Sequence, residues 1–347
     1  MSRLASGKNQ KGFHLFVIVL VILVLAVAGL AAWRVASNNS KNEDGKTSTD
    51  QLATASSSSD KINKIDASKL GFDQKAAASD PIGDKNGPYY HDVNTATSTD
   101  GLRYSNGATQ ILNHASVPDA IKLPSGQLVV YAVDGAARSS SGILMAVSDD
   151  NGKTWKAGSM RFDASRKGGV ADPQITMTDD GKLRLYYVVF PGGPDTPPGQ
   201  PNTGVNKVHS ALSSDGINFT QEQGTRFEYA QITDPDIIKI GNTWFMYAAQ
   251  GPTQIYATSN DGSSFTYQGT ARQRGSVSKT IALPGGGYRQ FYCLDGISSA
   301  ITTDGINWTD EGINLTPPAD KIICDPSPVQ VDASNWLMIY KVAAMPR

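Results

Sequence analysis

Glutamate is almost missing from the larger part of this sequence: beyond residue 86 only Glu222, Glu228 and Glu311 occur. Acid–base chemistry in that region would have to draw mainly on aspartate. Cysteine is scarcer still, with 2 in 347 residues, so at most one disulfide can form. The 4 histidines supply no metal or triad set, because His91, His114 and His209 have no partner at the required spacing; structural roles are expected for them. An excess of either charge is lacking too. Lys and Arg total 31 against 32 Asp and Glu, a formal charge of −1. Nothing in that balance suits a polyanion, so nucleic acid is not an expected partner.

What is present favours strands: 34 Gly and 18 Pro, with many Tyr, Thr, Ser and Val. The exception is residues 13–33, Phe13 to Trp33, which contain no Asp, Glu, Lys or Arg and are long enough to cross a bilayer as a helix. Arg3, Lys8 and Lys11 precede the run and no acid appears before Glu43, which predicts a cytoplasmic N-terminus. A cleaved signal peptide is the rival reading, since Ala26-Val27-Ala28 resembles a cleavage site. Residues 1–12 then form a cytoplasmic tail, 13–33 a membrane anchor, and 34–85 a flexible linker rich in Ser, Asn and Lys. Within that linker "KINKIDASKLGF" has helical periodicity and could dock on the domain that follows. The expected location is the cell membrane, single-pass, with residues 86–347 outside the cytoplasm and the lipid bilayer as a partner.

That domain is repetitive. One phrase returns as "TSTDGLRY" at Thr97, "VSDDNGKTW" at Val147, "LSSDGINF" at Leu212, "TSNDGSSF" at Thr258 and "TTDGINW" at Thr302. Asp-Gly between apolar runs is a hairpin signal. The box aspartates could also hold calcium or sugar; a structural Ca2+ is the one cofactor left open, and none other is expected. Two strand-like runs precede each of the last four boxes, "DAIKL" and "QLVVYAV" before the first of them. Units of four antiparallel strands suit propeller blades. After the last complete unit only "PSPVQV" and "NWLMIY" remain, while the box at Thr97 has no strand pair before it. The N-terminal hairpin should therefore supply the outer strands of a fifth blade whose inner strands are C-terminal, closing an all-β, five-bladed propeller without free edges.

With this strand order the boxes lie on one face and the starts of the innermost strands on the other. "VADPQITM", "ITDPDIIKI" and "ICDPSPVQV" begin such strands, so Asp172, Asp234 and Asp325 should ring a central funnel. Aligning "VPDAIKL" with "DPDIIKI" places Asp119 and Asp236 two residues further in. The fourth blade offers Ser278 and Lys279 instead.

Five blades, a "DP" phrase at the inner strands and a carboxylate-lined funnel resemble the furanosidase-type propellers of glycoside hydrolase families 43 and 32. The boxes are similar to the Asp-box (BNR) repeats of sialidases, with "SDDNGKTW" the fullest match. The resemblance implies a glycosidase with an Asp base in the first blade, a second Asp that orients, and a Glu acid. Asp119, displaced by two residues from the usual "DP" place, is then the candidate base. Asp234 or Asp236 is the second acid, and Glu228, on the loop entering the third blade, is the candidate proton donor. Asp172, Asp325, Asp134, Arg138 and Asp295 are the expected substrate-binding residues on the funnel side. A sialidase-like enzyme would need three of Arg138, Arg226, Arg272 and Arg274 to converge. A non-catalytic propeller that binds glycans or a protein is the alternative to either enzyme. Cys293 and Cys324 fall at adjacent strand ends on the funnel face, either bridged or as two buried thiols. The long loop 190–206 is expected to wall the pocket.

Overall fold

The computed structural model describes residues 61–163, 170–190 and 204–345. The anchor at 13–33, the tail before it, the linker up to residue 60 and most of the loop expected to wall the pocket (191–203) lie outside the described residues. Among those described, no helix is long and apolar enough to cross a membrane.

Five antiparallel sheets make up the propeller. From inside out, blade one is Ala115–Lys122, Leu128–Asp134, Ile143–Ser148 and Lys156–Ser159. Blade two begins Ala171–Met177, Leu183–Val189 and Val205–Ser213 and is finished by the short Asn218–Gln221, with Arg161–Asp163 added parallel to its edge. Blade three runs from Thr233–Ile240 out to Thr266–Arg272, and blade four from Ser278–Ala282 out to Thr309–Leu315. Blade five is the closure expected from the sequence. Lys321–Gln330 and Trp336–Ala344 are its inner strands, and His91–Ser98 and Ser105–Asn113 pair onto them from the other end of the chain.

The boxes form the same knot each time. The hydroxyls of Ser98, Ser148, Ser213, Ser259 and Thr302 accept from the amides of Gly101, Gly152, Gly216, Gly262 and Gly305 at 2.8–3.0 Å. Each hydroxyl donates to the box aspartate, whose carboxylate takes further turn amides. The carboxylates are spent on the turn; the Thr154 hydroxyl and amide hold Asp150 down, at about 2. Four of the five boxes also serve a neighbour. Tyr131 donates to the Gly216 carbonyl at 2.6 Å, Tyr186 to Gly262 at 2.8 Å, Tyr247 to Gly305 at 2.7 Å, and the Arg289 guanidinium to Gly101 at 3.0 Å. A hairpin motif thus becomes a pin between successive blades. Buried apolar clusters fill the spaces between them, the smallest centred on Ile240, Phe245 and Tyr247 between blades three and four.

The stretch 61–85, expected to belong to a flexible linker, is bound to the propeller. Ile62 and Ile65 are 3% and 0% exposed and join the core between blades one and two. The Ile62 amide donates to the Gly181 carbonyl, and Gln127 exchanges two hydrogen bonds with the backbone of Ile65. A Cβ at Gly216, whose φ is +74, would collide with the Ile65 side chain at 2.4 Å. The apolar residues in a polar stretch are therefore inter-blade filling, and the domain boundary moves from residue 86 to residue 61 or before. Ile65→Ala should cost about 2–5 kcal/mol, the usual range for emptying a packed aliphatic site. Urea denaturation checks this, and a chain beginning at Asn86 should be less stable than one beginning at Lys61.

Candidate functional site

Four innermost strands bend at the same place. The residue before proline takes a positive φ: Val117 at 48°, Asp172 at 50°, Asp234 at 48° and Asp325 at 52°. The ladder skips there, between Ser116 and Asp119, Ala171 and Gln174, Thr233 and Asp236, and Cys324 and Ser327. This is a bulge, and it is strained, since a residue before proline prefers extended backbone and a β-branched residue rarely adopts positive φ. Each bulge turns one side chain toward the axis. The result is a cavity of about 30 Å³ lined by Asp172, Asp234 and Asp325 among others, with Pro118, Pro173, Pro235, Pro326 and Val277 around it. A space of that size admits a water-sized group and no sugar ring.

One level deeper the residue after each proline closes the axis. The Asp119 carboxylate, from blade one, accepts from the Ile175 amide of blade two at 2.6 Å and from the Ser327 hydroxyl of blade five at 2.9 Å. Lys279 of blade four lies 2.7 Å from it. Both partners of this ion pair are largely buried, with side chains 12% and 7% exposed. Gln174 carries the belt from blade two to the Ile237 carbonyl of blade three. Asp236 Oδ2 carries it on to Ser278 and Thr280 of blade four, with Gln290 nearby.

The outer acids are less well matched. Lys341, a cation in an otherwise apolar strand, sits 2.7 Å from Asp325. Burial alone would lower the Lys341 ammonium, but Asp325 and the acids beyond it hold it above its ordinary value. Asp172 accepts the Asp234 amide at 3.2 Å. Burial pushes Asp172 up to about 6, with the Asp325 charge adding to the effect and the Asp234 amide and Lys341 opposing it. Asp234 is raised well above the carboxylate range by burial and by its two acidic neighbours. Asp236 is raised by burial. Cys293 and Cys324 are bonded, with Cα atoms 5.2 Å apart, and the Asp325 amide donates to Cys293 Sγ. The bridge pins blade four to blade five beside the cavity. Among the described residues, Cys293, Cys324 and Asp325 form the one group close enough to share an ion, and its two sulfurs are already joined to each other.

No protein-family model matches the chain, and no curated protein matches it. Solved structures do. The chain is similar to a protein of unknown function from Dyadobacter fermentans DSM 18053, with 14% identity, 72% of this chain and 83% of that one covered, and a TM-score of 0.51. An exo-1,5-α-L-arabinanase from a bovine ruminal metagenomic library aligns at 12% identity over 66% and 91% of the two chains, TM-score 0.49. An α-L-arabinanase of Penicillium chrysogenum complexed with arabinobiose aligns at 14% over 60% and 70%, TM-score 0.46. Likeness at this level concerns the fold. The five-bladed propeller has structural neighbours among glycoside hydrolases.

The residues named from the sequence part company here. Asp119, Asp172, Asp234 and Asp325 line one cavity, and Asp236 lies just beneath it, bonded into the belt. Glu228 does not join them. It sits on Phe227–Ala230, a strand paired to the third strand of blade two, where it is exposed and 3.4 Å from Lys207. Asp134 is occupied by Arg138 and by the amides of Ala136 and Ser139, and Arg138 reaches on to the Asn113 and His114 carbonyls. That pair clips a loop and does not line the cavity. Asp295 is an exposed turn residue with φ 54°. The arginines do not converge: Arg226 binds the Gln223 and Ser263 carbonyls, Arg272 pairs with Asp310 over the Tyr292 ring, and Arg274 is exposed. Sequence reasoning missed Lys341 and the role of Lys279, although a lone lysine within "MIYKVA" or "VSKTIAL" is itself a signal.

Two outcomes are expected. Lys279→Met strands a buried carboxylate and should cost about 3–5 kcal/mol, while the double variant Asp119→Leu/Lys279→Met should recover most of that loss; thermal unfolding distinguishes them. The second concerns pH. An acid at about 6 in the folded protein and about 4 when unfolded leaves the folded state holding the extra proton between those values. Its contribution to stability therefore falls as pH rises through that window. Asp172→Asn should remove this fall and stabilise the protein near neutral pH by on the order of 2 kcal/mol, read as the difference between wild-type and variant stability across pH 4–7.

Proposed function

We propose that the propeller is a non-catalytic carbohydrate-binding module, held outside the cytoplasm by residues 13–33, with the mouth of the axial cavity as its ligand site. One observation carries this reading. Asp119, the candidate base although two residues beyond the usual place, has both oxygens engaged by Ile175, Ser327 and Lys279. The position that is aspartate in blades two, three and five is Val117 in blade one. A base must be within reach of a proton to abstract, and this carboxylate is committed to three other blades. With Glu228 on the rim of blade two, no glutamate lines the cavity among the described residues. A disulfide between Cys293 and Cys324 supports an oxidising, extracytoplasmic setting.

A second reading draws on the outer acids. Asp172 and Asp234 are raised while Asp325 is paired to Lys341. A carboxyl pair with one member protonated is what glycoside hydrolysis needs. In that case Asp234 would be the proton donor and the chemistry would survive loss of Asp119.

The experiment uses the full chain in detergent against a glycan array and a panel of aryl furanosides, pyranosides and sialosides. Binding without hydrolysis is the expected result. Turnover that persists in Asp119→Asn and disappears in Asp234→Asn would overturn the binding-module reading in favour of the second.

A further inference from the structure

Asp172 and Asp234 present an imbalance that the belt beneath them does not have. Asp119 is answered by Lys279 and Asp325 by Lys341. Among the described residues, no cation pairs with Asp172 or Asp234, although Asp172 is only 8% exposed. Isolated buried carboxyls are costly, and here they sit on backbone that is itself strained. A separate observation comes from Gln174. It is 3% exposed and lines the same cavity. Its Nε2 is spent on the Ile175 and Ile237 carbonyls, while its Oε1 has no hydrogen-bond partner. A buried acceptor without a donor forfeits a hydrogen bond that a ligand could restore. Among the described residues, the Gln174 oxygen lacks a donor, and the two carboxyls beside it lack a countercharge. A hydrogen-bond donor that also carries positive charge would answer both.

Size and spread narrow it further. A cavity of about 30 Å³ takes one water-sized group. Asp172, Asp234 and Asp325 do not bring oxygens within 4.8 Å of one another as a set. An oxygen-bound calcium ion reaches only about 2.4 Å to each ligand, whereas an ammonium reaches about 2.8 Å through its N–H groups. An ammonium does not need all three carboxylates, since two of them and the Gln174 oxygen can each take one of its N–H groups. Around it, Pro118, Pro173, Pro235, Pro326 and Val277 offer an apolar collar on which the C–H face of a pyranose can rest.

We propose that the axial cavity receives the protonated primary amine of an amino sugar, held by Asp172, Asp234 and the Gln174 Oε1, with the sugar ring seated on the proline collar above. This rests on the carbohydrate-binding reading and names its ligand class. The groups that face the amine are Asp172, Asp234 and Asp325, with Lys341 beyond Asp325 and the Asp119–Lys279 pair beneath.

The test is calorimetric titration of the full chain in detergent with three probes: a glucosamine tetramer, its fully N-acetylated counterpart, and a peptide ending in a free lysine side chain. The glucosamine tetramer should bind at least about tenfold more tightly than the acetylated one, and Asp172→Asn should remove about that factor, as expected for charge-assisted hydrogen bonds. Asp172→Asn deletes a buried charge and creates none, so it should fold, and its melting temperature will show this. Equal binding of both tetramers, unaffected by Asp172→Asn, would overturn the amine assignment and leave carbohydrate binding standing. A lysine peptide bound as tightly as the glucosamine tetramer would overturn the assignment to a sugar. Failure to bind either tetramer, with the glycan array also blank, would overturn the carbohydrate reading and this inference together.

Discussion

The Asp119 carboxylate is the point on which the architecture turns. It comes from blade one and is met by a backbone amide from blade two, an ammonium from blade four and a hydroxyl from blade five. In a dry site such bonds are strong, and leaving any of them unmade is expensive. One small anion therefore fixes the distance of four blades from the axis. Asp236 and Gln174 complete the circuit through blade three. At the blade three–four interface, where the apolar cluster is smallest, polar bonds from Asp236 to Ser278 and Thr280 stand in for the missing hydrocarbon.

That belt also decides what the axis can be used for. A propeller whose central strands do not meet leaves a channel. Here the belt crosses it, and among the described residues a small cavity lies above the belt. The same repeat thus yields two layers of different character. Residues two beyond the bulge bond to neighbouring blades and serve the fold, although Gln174 Oε1 and Asp236 Oδ1 are left without a partner. Residues at the bulge are strained, partly unpaired and turned to the opening. Strain and unmet hydrogen bonds at one place are the usual mark of a site kept for a ligand.

Closure is achieved three times over. The hairpin at His91–Asn113 completes the blade begun by the last strands, the Cys293–Cys324 bridge ties that blade to the one before it, and Ile62 and Ile65 fill the seam between blades one and two. Each links segments distant in sequence. Because a ring of sheets has no strong pairing between blades, such links supply what the sheets themselves do not.

The number of blades, their strand order and the way the ring closes were legible in the sequence, because Asp-Gly turns, alternating strands and box spacing are local and repeat. The acids at the inner strand starts were legible for the same reason: topology alone carries them to the axis. What each acid does there was not. Asp119 and Asp236 are one repeat position, as are Val117, Asp172, Asp234 and Asp325, yet their roles depend on which side chain the next blade, or the one after, extends toward them. Lys279 is far from its partner along the chain, Lys341 meets Asp325 only through the register of one hairpin, and Glu228 was placed on a loop when strand pairing to Lys207 holds it on the rim. Local pattern determines strands and turns because it acts over a few residues; pairing of charge and burial of an amide oxygen are settled only when five separate segments arrive at one axis.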